Sequence, residues 1–151
     1  MTVRDKIRQL GIELPPPPAP VGAYVPVVRA GGLIYTSGQL PTVGGQMIVE
    51  GKVPADVTLR AAQAAAAQAA LNALAAVEAE IGSLDDILRI VRVNVFVNSS
   101  AGFTDQAGVA NGASEMLMQI FGDCGRHTRC AVGAAELPLN SPVELDLIVE
   151  V

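Results

Sequence analysis

Few side chains in this sequence have both the chemistry and the setting to act on a small molecule, and Arg129 is the first of them. It stands where a polar stretch, Asp123 to Thr128, gives way to an apolar run from Cys130 to Leu137. A guanidinium presents a planar fork of N–H donors that grips a carboxylate at two points. The same position also fits a plain surface arginine at the end of a strand. Arg126 is the rival cation, but it lies beside Gly125 in the loop and is less firmly fixed. Fifteen positions after Arg129 comes Glu144. Glu144, Asp146, Ile148 and Glu150 share one face of an alternating run, so Glu144 is either a general base toward water or one acid of a solvated strand face. Ser37-Gly38-Gln39 offers a hydroxyl and a bare backbone that a ligand can approach. A serine nucleophile is not expected there, because no His or Asp partner lies nearby in sequence. His127, the only histidine, reads as a solvated loop residue, and Cys130 as a small hydrophobe inside a strand.

These residues must be held by a sheet and two helices. Tyr24 to Arg29 and Leu33 to Gly38 are β-rich runs, with Ala30-Gly31-Gly32 suited to a tight hairpin turn. Gly44-Gly45 marks a second turn, followed by a short run from Met47 to Val49. Leu59 to Ile81 is nearly all Ala, Gln, Leu and Glu, and Leu71, Leu74, Val77 and Ile81 form one stripe of a helix that Asp56 or Thr58 could cap and Gly82 ends. Leu88 to Val97 alternates, with Val91, Val93, Val95 and Val97 on the core face. A second helix is expected over Thr104 to Phe121, with Val109, Ala113, Met116, Leu117 and Ile120 turned inward. Cys130 to Leu137 and Val143 to Val151 are the last strands, joined by Pro138-Leu139-Asn140. Before all of these, Val3 to Leu10 has helical spacing, and Pro15 to Pro18 enforce an extended run. Residues 1–20 therefore read as an appended arm and residues 21–151 as the main domain. The order of elements predicts an α+β fold, a two-layer sandwich of sheet and helices.

Composition narrows the function classes. The chain has 151 residues, of which half are hydrophobic but only two Tyr and three Phe are aromatic, so the core must be built from Ala, Val, Ile and Leu. Some of that apolar surface is expected to lie between subunits. Net charge is −5 with no basic run, a poor match to a nucleic-acid backbone. Two cysteines, Cys124 and Cys130, are too few for a disulfide framework or a zinc site, and they read as reduced thiols. The N-terminus lacks a signal-peptide pattern, no stretch is apolar enough to span a membrane, and a cytoplasmic location is expected. GxGxxG, P-loop and HExxH motifs are absent.

Read in order, Tyr24, Tyr35-Thr36-Ser37-Gly38-Gln39, Arg129-Cys130-Ala131-Val132, Glu136-Leu137-Pro138 and Val143-Glu144-Leu145-Asp146 resemble the RidA/YjgF family, formerly called endoribonuclease L-PSP, in its longer-chain branch. The resemblance covers about residues 21–151. It implies a chorismate-mutase-like sheet with two helices packed on one face, a homotrimer around a central barrel, and three clefts between subunits. It also implies hydrolysis of small reactive 2-enamino or 2-imino acids to 2-oxo acids and ammonia, without metal or cofactor. By the same resemblance, Arg129 would bind the substrate carboxylate and Glu144 would hold the attacking water. Ser37 and Gly38 would lie beside the ligand, Tyr24 would form an aromatic wall, and Cys130 and Ala131 would line the site. The sequence departs from the family where His127 replaces a common Pro, Cys130 a common Ser and Ala131 a common Cys. Two other functions stay open: binding or sensing of a small carboxylate without chemistry, and an endoribonuclease or translation inhibitor.

Overall fold

The computed structural model describes residues 1–20 and 22–151; Val21, where the main domain was expected to begin, lies outside the described residues. Helix α1 (Val3–Gln9) is opened by a capping box in which Thr2 and Asp5 satisfy each other's backbone N–H groups. It docks through buried Ile7, a Val3 N–H bond to Asp85 Oδ1 at 2.6 Å, and an ion pair between Arg4 and Glu78.

Strands β1 (Val27–Ala30) and β2 (Leu33–Thr36) pair across the two-residue turn Gly31-Gly32, where Gly31 adopts φ +61°. Both strands are shorter than their apolar runs suggest. Pro26 has no N–H to contribute to a ladder, and β2 breaks off at an irregularity described below. A second hairpin joins β3 (Thr42–Val43) to β4 (Gln46–Met47) around Gly44-Gly45, both with positive φ as a primed turn requires.

Helix α2 (Leu59–Ile81) matches its predicted bounds, with Thr58 rather than Asp56 accepting the capping bond from Ala61 N–H and Gly82 closing it at φ +90°. Strand β5 (Arg89–Asn98) leads to α3 (Gln106–Phe121), capped by Asp105. Strands β6 (Thr128–Ala134) and β7 (Val143–Glu150) complete the main sheet, in the order β1-β2-β7-β5-β6. All neighbours are antiparallel except β5 and β6, which α3 connects in parallel.

Both long helices cover one face of this sheet. Ile34, Ile90, Val93, Val95, Val97, Val143, Leu145, Leu147 and Val149 point into that layer and are fully buried. The core face of β5 thus includes Ile90 in place of the expected Val91. A register shift between Ile90 and Arg92 leaves Val91 as an extra residue, and its carbonyl instead accepts a bond from Thr128 Oγ1. The alanines of α2 let α3 approach closely: a Cβ on Gly112 would meet the Gln63 carbonyl oxygen at 2.1 Å. Gln63 Nε2 donates to Gly108 O across the same contact, at 2.9 Å.

The opposite face is open. Val28, Tyr35, Phe96 and Val132 lie on it, each more than a third exposed, among Arg92, Asn94, Glu144 and Asp146. The protein therefore has the expected α+β class, with both long helices packed on one face of the sheet. No helix among the described residues is long and apolar enough to cross a membrane.

Candidate functional site

The first group of predicted residues gathers where β2 breaks from β7. Tyr35 still pairs with Ile148, and pairing resumes at Gln39, whose N–H and C=O both bond Leu145 at 2.7 and 3.1 Å. One strand takes four steps where the other takes three, which is a bulge. Thr36 Oγ1 compensates by accepting the Leu147 N–H at 2.9 Å. Ser37 is pinned to the segment before β1, its N–H bonding Pro26 O at 2.8 Å and its hydroxyl donating to Val25 O at 2.6 Å. Tyr24, the residue next to that anchor, has its ring half exposed and lying over Gly22.

The bulge brings Gly38 against Glu144. A Cβ on Gly38 would stand 2.2 Å from Glu144 Oε1, so only glycine leaves room for the carboxylate in this position. Burial pushes the Glu144 carboxyl above the usual carboxylate range, and the nearby Asp146 charge pushes it further the same way. Asp146 accepts from Asn94 Nδ2 at 2.8 Å, and Asn94 Oδ1 accepts from Arg92 Nε at 2.9 Å, which ties up the neighbouring polar groups of the open face. A half-buried carboxyl with its proton affinity raised, set beside a bare backbone, is placed to act as a base toward a water.

The second group lies at the other edge of the sheet. Arg129 on β6 is in register with core-facing Val93, so its side chain leaves on the helix side. Its Nη1 donates to Asn111 Oδ1 at 2.8 Å and to Ser114 Oγ at 3.1 Å, both on α3. Ala131, two residues on, packs against the core. Cys130 alternates to the open face opposite Asn94, where its free thiol is exposed rather than enclosed within an apolar strand. His127 is likewise not a solvated loop residue: Nε2 lies 2.9 Å from Ser114 Oγ and Nδ1 lies 2.7 Å from Gly125 O.

Arg129 and Glu144 therefore project from opposite faces of one sheet and do not meet within one chain. Ser37, Gly38 and Glu144 come together, with Tyr24 at their flank; Arg129, Cys130 and Ala131 belong to the far edge strand. Asn111, Ser114 and Asn72 were not singled out from sequence. Asn111 and Ser114 stand three apart on α3, the spacing of one helical face, and that was their only signal. No cluster of three or more His, Cys, Asp or Glu side chains suited to a metal occurs among the described residues. A groove of about 360 Å3 runs between the arm and α2, lined by Arg4, Pro15, Pro16 and Glu78 among others, and none of the predicted site residues borders it.

Residues 4–151 match the family model described as YjgF/chorismate mutase-like, a description that also carries an endoribonuclease label. Protein TCP17 of Trypanosoma cruzi is 46% identical over 151 residues, covering 98% of this chain and 93% of that protein. The 2-iminobutanoate/2-iminopropanoate deaminase of Dermatophagoides farinae is 32% identical over 139 residues, covering 91% and 93% of the two chains. Among solved structures, a protein of unknown function from Agrobacterium tumefaciens superposes with a TM-score of 0.91 at 42% identity, covering 99% of this chain and 92% of that one.

Proposed function

The chain belongs to the YjgF/chorismate mutase-like family, and on that premise we propose that it hydrolyses small 2-imino or 2-enamino acids to 2-oxo acids and ammonia in clefts between the protomers of a homotrimer. The observation that carries this reading is the division of the site. A guanidinium whose Nε and Nη2 hydrogens have no partner among the described residues stands at the β6 edge, and a carboxyl raised by burial stands beside a bare glycine on the opposite face of the central strand β7. Neither half is a site alone, and each would be completed by the other half on a neighbouring copy. The exposed apolar residues of the open face supply a surface that assembly would bury. The relative from Dermatophagoides farinae bears the name of this activity.

The chemistry balances without a cofactor. The substrate is a protonated imine conjugated to a carboxylate, already electrophilic at the imine carbon. Arg129 holds the carboxylate through its unengaged N–H groups. Glu144 takes a proton from water as the oxygen adds to carbon and the C=N bond pair moves onto nitrogen. It returns that proton to the amine, the C–N bond breaks with its electron pair leaving on ammonia as the C=O forms, and the hydroxyl proton passes through Glu144 to the ammonia to give ammonium. One iminium and one water give one 2-oxo acid and one ammonium ion. Positioning of three partners and a proton shuttle supply the rate gain. Ser37, Tyr24, Cys130 and Ala131 would line the cleft.

The test couples a pyridoxal-phosphate dehydratase acting on threonine or serine to lactate dehydrogenase. Adding this protein should accelerate release of the 2-oxo acid, and an Arg129→Ala variant should not. Absence of acceleration by a protein shown to be trimeric by sedimentation would end the proposal. The endoribonuclease label in the family description marks the rival activity, which the net charge of −5 disfavours. Salt-dependent RNA binding by the purified trimer would favour that rival.

A further inference from the structure

Arg129 is held by a hydrogen-bond relay whose direction follows from the Gly125 carbonyl when the His127 ring is neutral. Gly125 O can only accept, so the His127 nitrogen 2.7 Å away, Nδ1, must carry the proton. In the neutral ring Nε2 is then an acceptor, so Ser114 must donate its hydroxyl proton to it across 2.9 Å. With its proton committed, Ser114 Oγ is left to accept, and the donor aimed at it is Arg129 Nη1 at 3.1 Å. Asn111 Oδ1 takes the second Nη1 hydrogen at 2.8 Å. Both hydrogens of Nη1 are thereby used, and among the described residues Nε and Nη2 keep theirs. These are the two adjacent nitrogens whose parallel N–H bonds match a carboxylate.

The relay is anchored in packed structure. Ser114 is only 7% exposed. Gly125 is buried in the turn after α3, where a Cβ would lie 2.5 Å from Leu117 O, so glycine lets that turn sit against the helix and aim its carbonyl at the ring. We infer that His127, Ser114 and Asn111 are positioning residues that clamp one edge of the Arg129 guanidinium so that its Nε/Nη2 edge faces the substrate carboxylate. This rests on the proposed function, and it assigns the lone histidine a role as tautomer-locked anchor, not as acid or base.

The experiment has two arms. In the first, nitrogen-15 NMR of the histidine ring should show His127 protonated on Nδ1; Ser114→Ala, which leaves the Gly125 carbonyl in place, should keep that tautomer but shift the Nε2 resonance as its hydrogen bond is lost. In the second, Ser114→Ala should raise KM, and the Kd for 2-oxobutanoate as a carboxylate probe, about tenfold while kcat stays within about twofold, as expected when one bond of about 1.4 kcal/mol that orients the ligand is removed. Ser114→Thr, which keeps the hydroxyl, should restore both, and thermal melting confirms that each variant folds. A His127 protonated on Nε2 in the parent protein, or an unchanged KM in Ser114→Ala, overturns the inference. A parent protein that neither turns over nor binds 2-oxobutanoate sinks the proposed function, and with it the substrate role of the clamp, while the NMR arm still decides the relay itself.

Discussion

Glu144 owes its place to the one residue opposite it that has no side chain. The atoms a new Cβ on Gly38 would strike are the far end of the Glu144 side chain, Oε1 at 2.2 Å and Cδ at 3.0 Å. In Gly38→Ala the carboxylate will therefore swing away while the backbone stays. We expect kcat to fall about 100-fold, the cost of displacing a catalytic group by about 1 Å, with melting temperature nearly unchanged. Glu144→Gln should lose about as much or more by removing the proton shuttle. The pH profile follows from the same side chain. Its base form is the active one and its carboxyl is raised by burial and by Asp146. Activity should thus fall with acidification at a higher pH than an ordinary glutamate would give, and that limb should vanish in Glu144→Gln. A limb that persists in the glutamine variant would assign the proton transfer to another group.

Between residue and fold stand the elements, and one buried amide links them. Asn72, in the middle of α2, is 1% exposed, and its Nδ2 donates to Leu40 O at 2.9 Å and Thr42 O at 3.0 Å. It thereby ties the helix to the segment that directly follows Gly38 and Gln39. Asn72→Ala removes both bonds, leaving Leu40 O with only the Thr42 N–H at 2.9 Å and the Thr42 carbonyl without its helix donor, which costs about 2 kcal/mol and about 4–8 °C in melting temperature for a chain of this size. Thermal denaturation measures it directly. Sequence periodicity placed α2, its apolar stripe and the alternation of β7 correctly, because burial on one face writes a period into the residues. It passed over Asn72, since a polar residue beside an apolar stripe reads as solvent-facing unless one knows that a loop brings carbonyls to it. The same limit hid the direction of Arg129. Alternation divides a strand into two faces, but only the parallel register with β5, set by α3, decides which face the arginine takes. His127 was read as a loop residue because its partners, Ser114 and Gly125, are brought together by packing of the turn on α3 and not by spacing.

At the scale of the whole molecule, the opposite-face placement of Arg129 and Glu144 makes a statement about assembly that a mixing experiment can settle. If each cleft takes its arginine from one protomer and its glutamate from the next, the interface is heterologous and closes into a ring. Arg129→Ala and Glu144→Gln proteins are then each inactive, since every cleft lacks one group. Co-refolded in equal amounts, they form mixed trimers. In these, a cleft whose arginine comes from a Glu144→Gln protomer and whose glutamate comes from an Arg129→Ala protomer has both groups intact. Random association makes about one cleft in four of this kind, so the mixture should recover about a quarter of parental activity. If both groups served from the same chain, every cleft would keep a defect and mixing would recover nothing. A Phe96→Glu substitution supplies the complementary control. It places a charge in the open face next to Glu144 and should dissociate the proposed trimer, seen by sedimentation, and abolish activity while leaving the helical circular dichroism intact. Full activity in monomeric Phe96→Glu would show that one chain suffices, and the division of the site between copies would have to be abandoned.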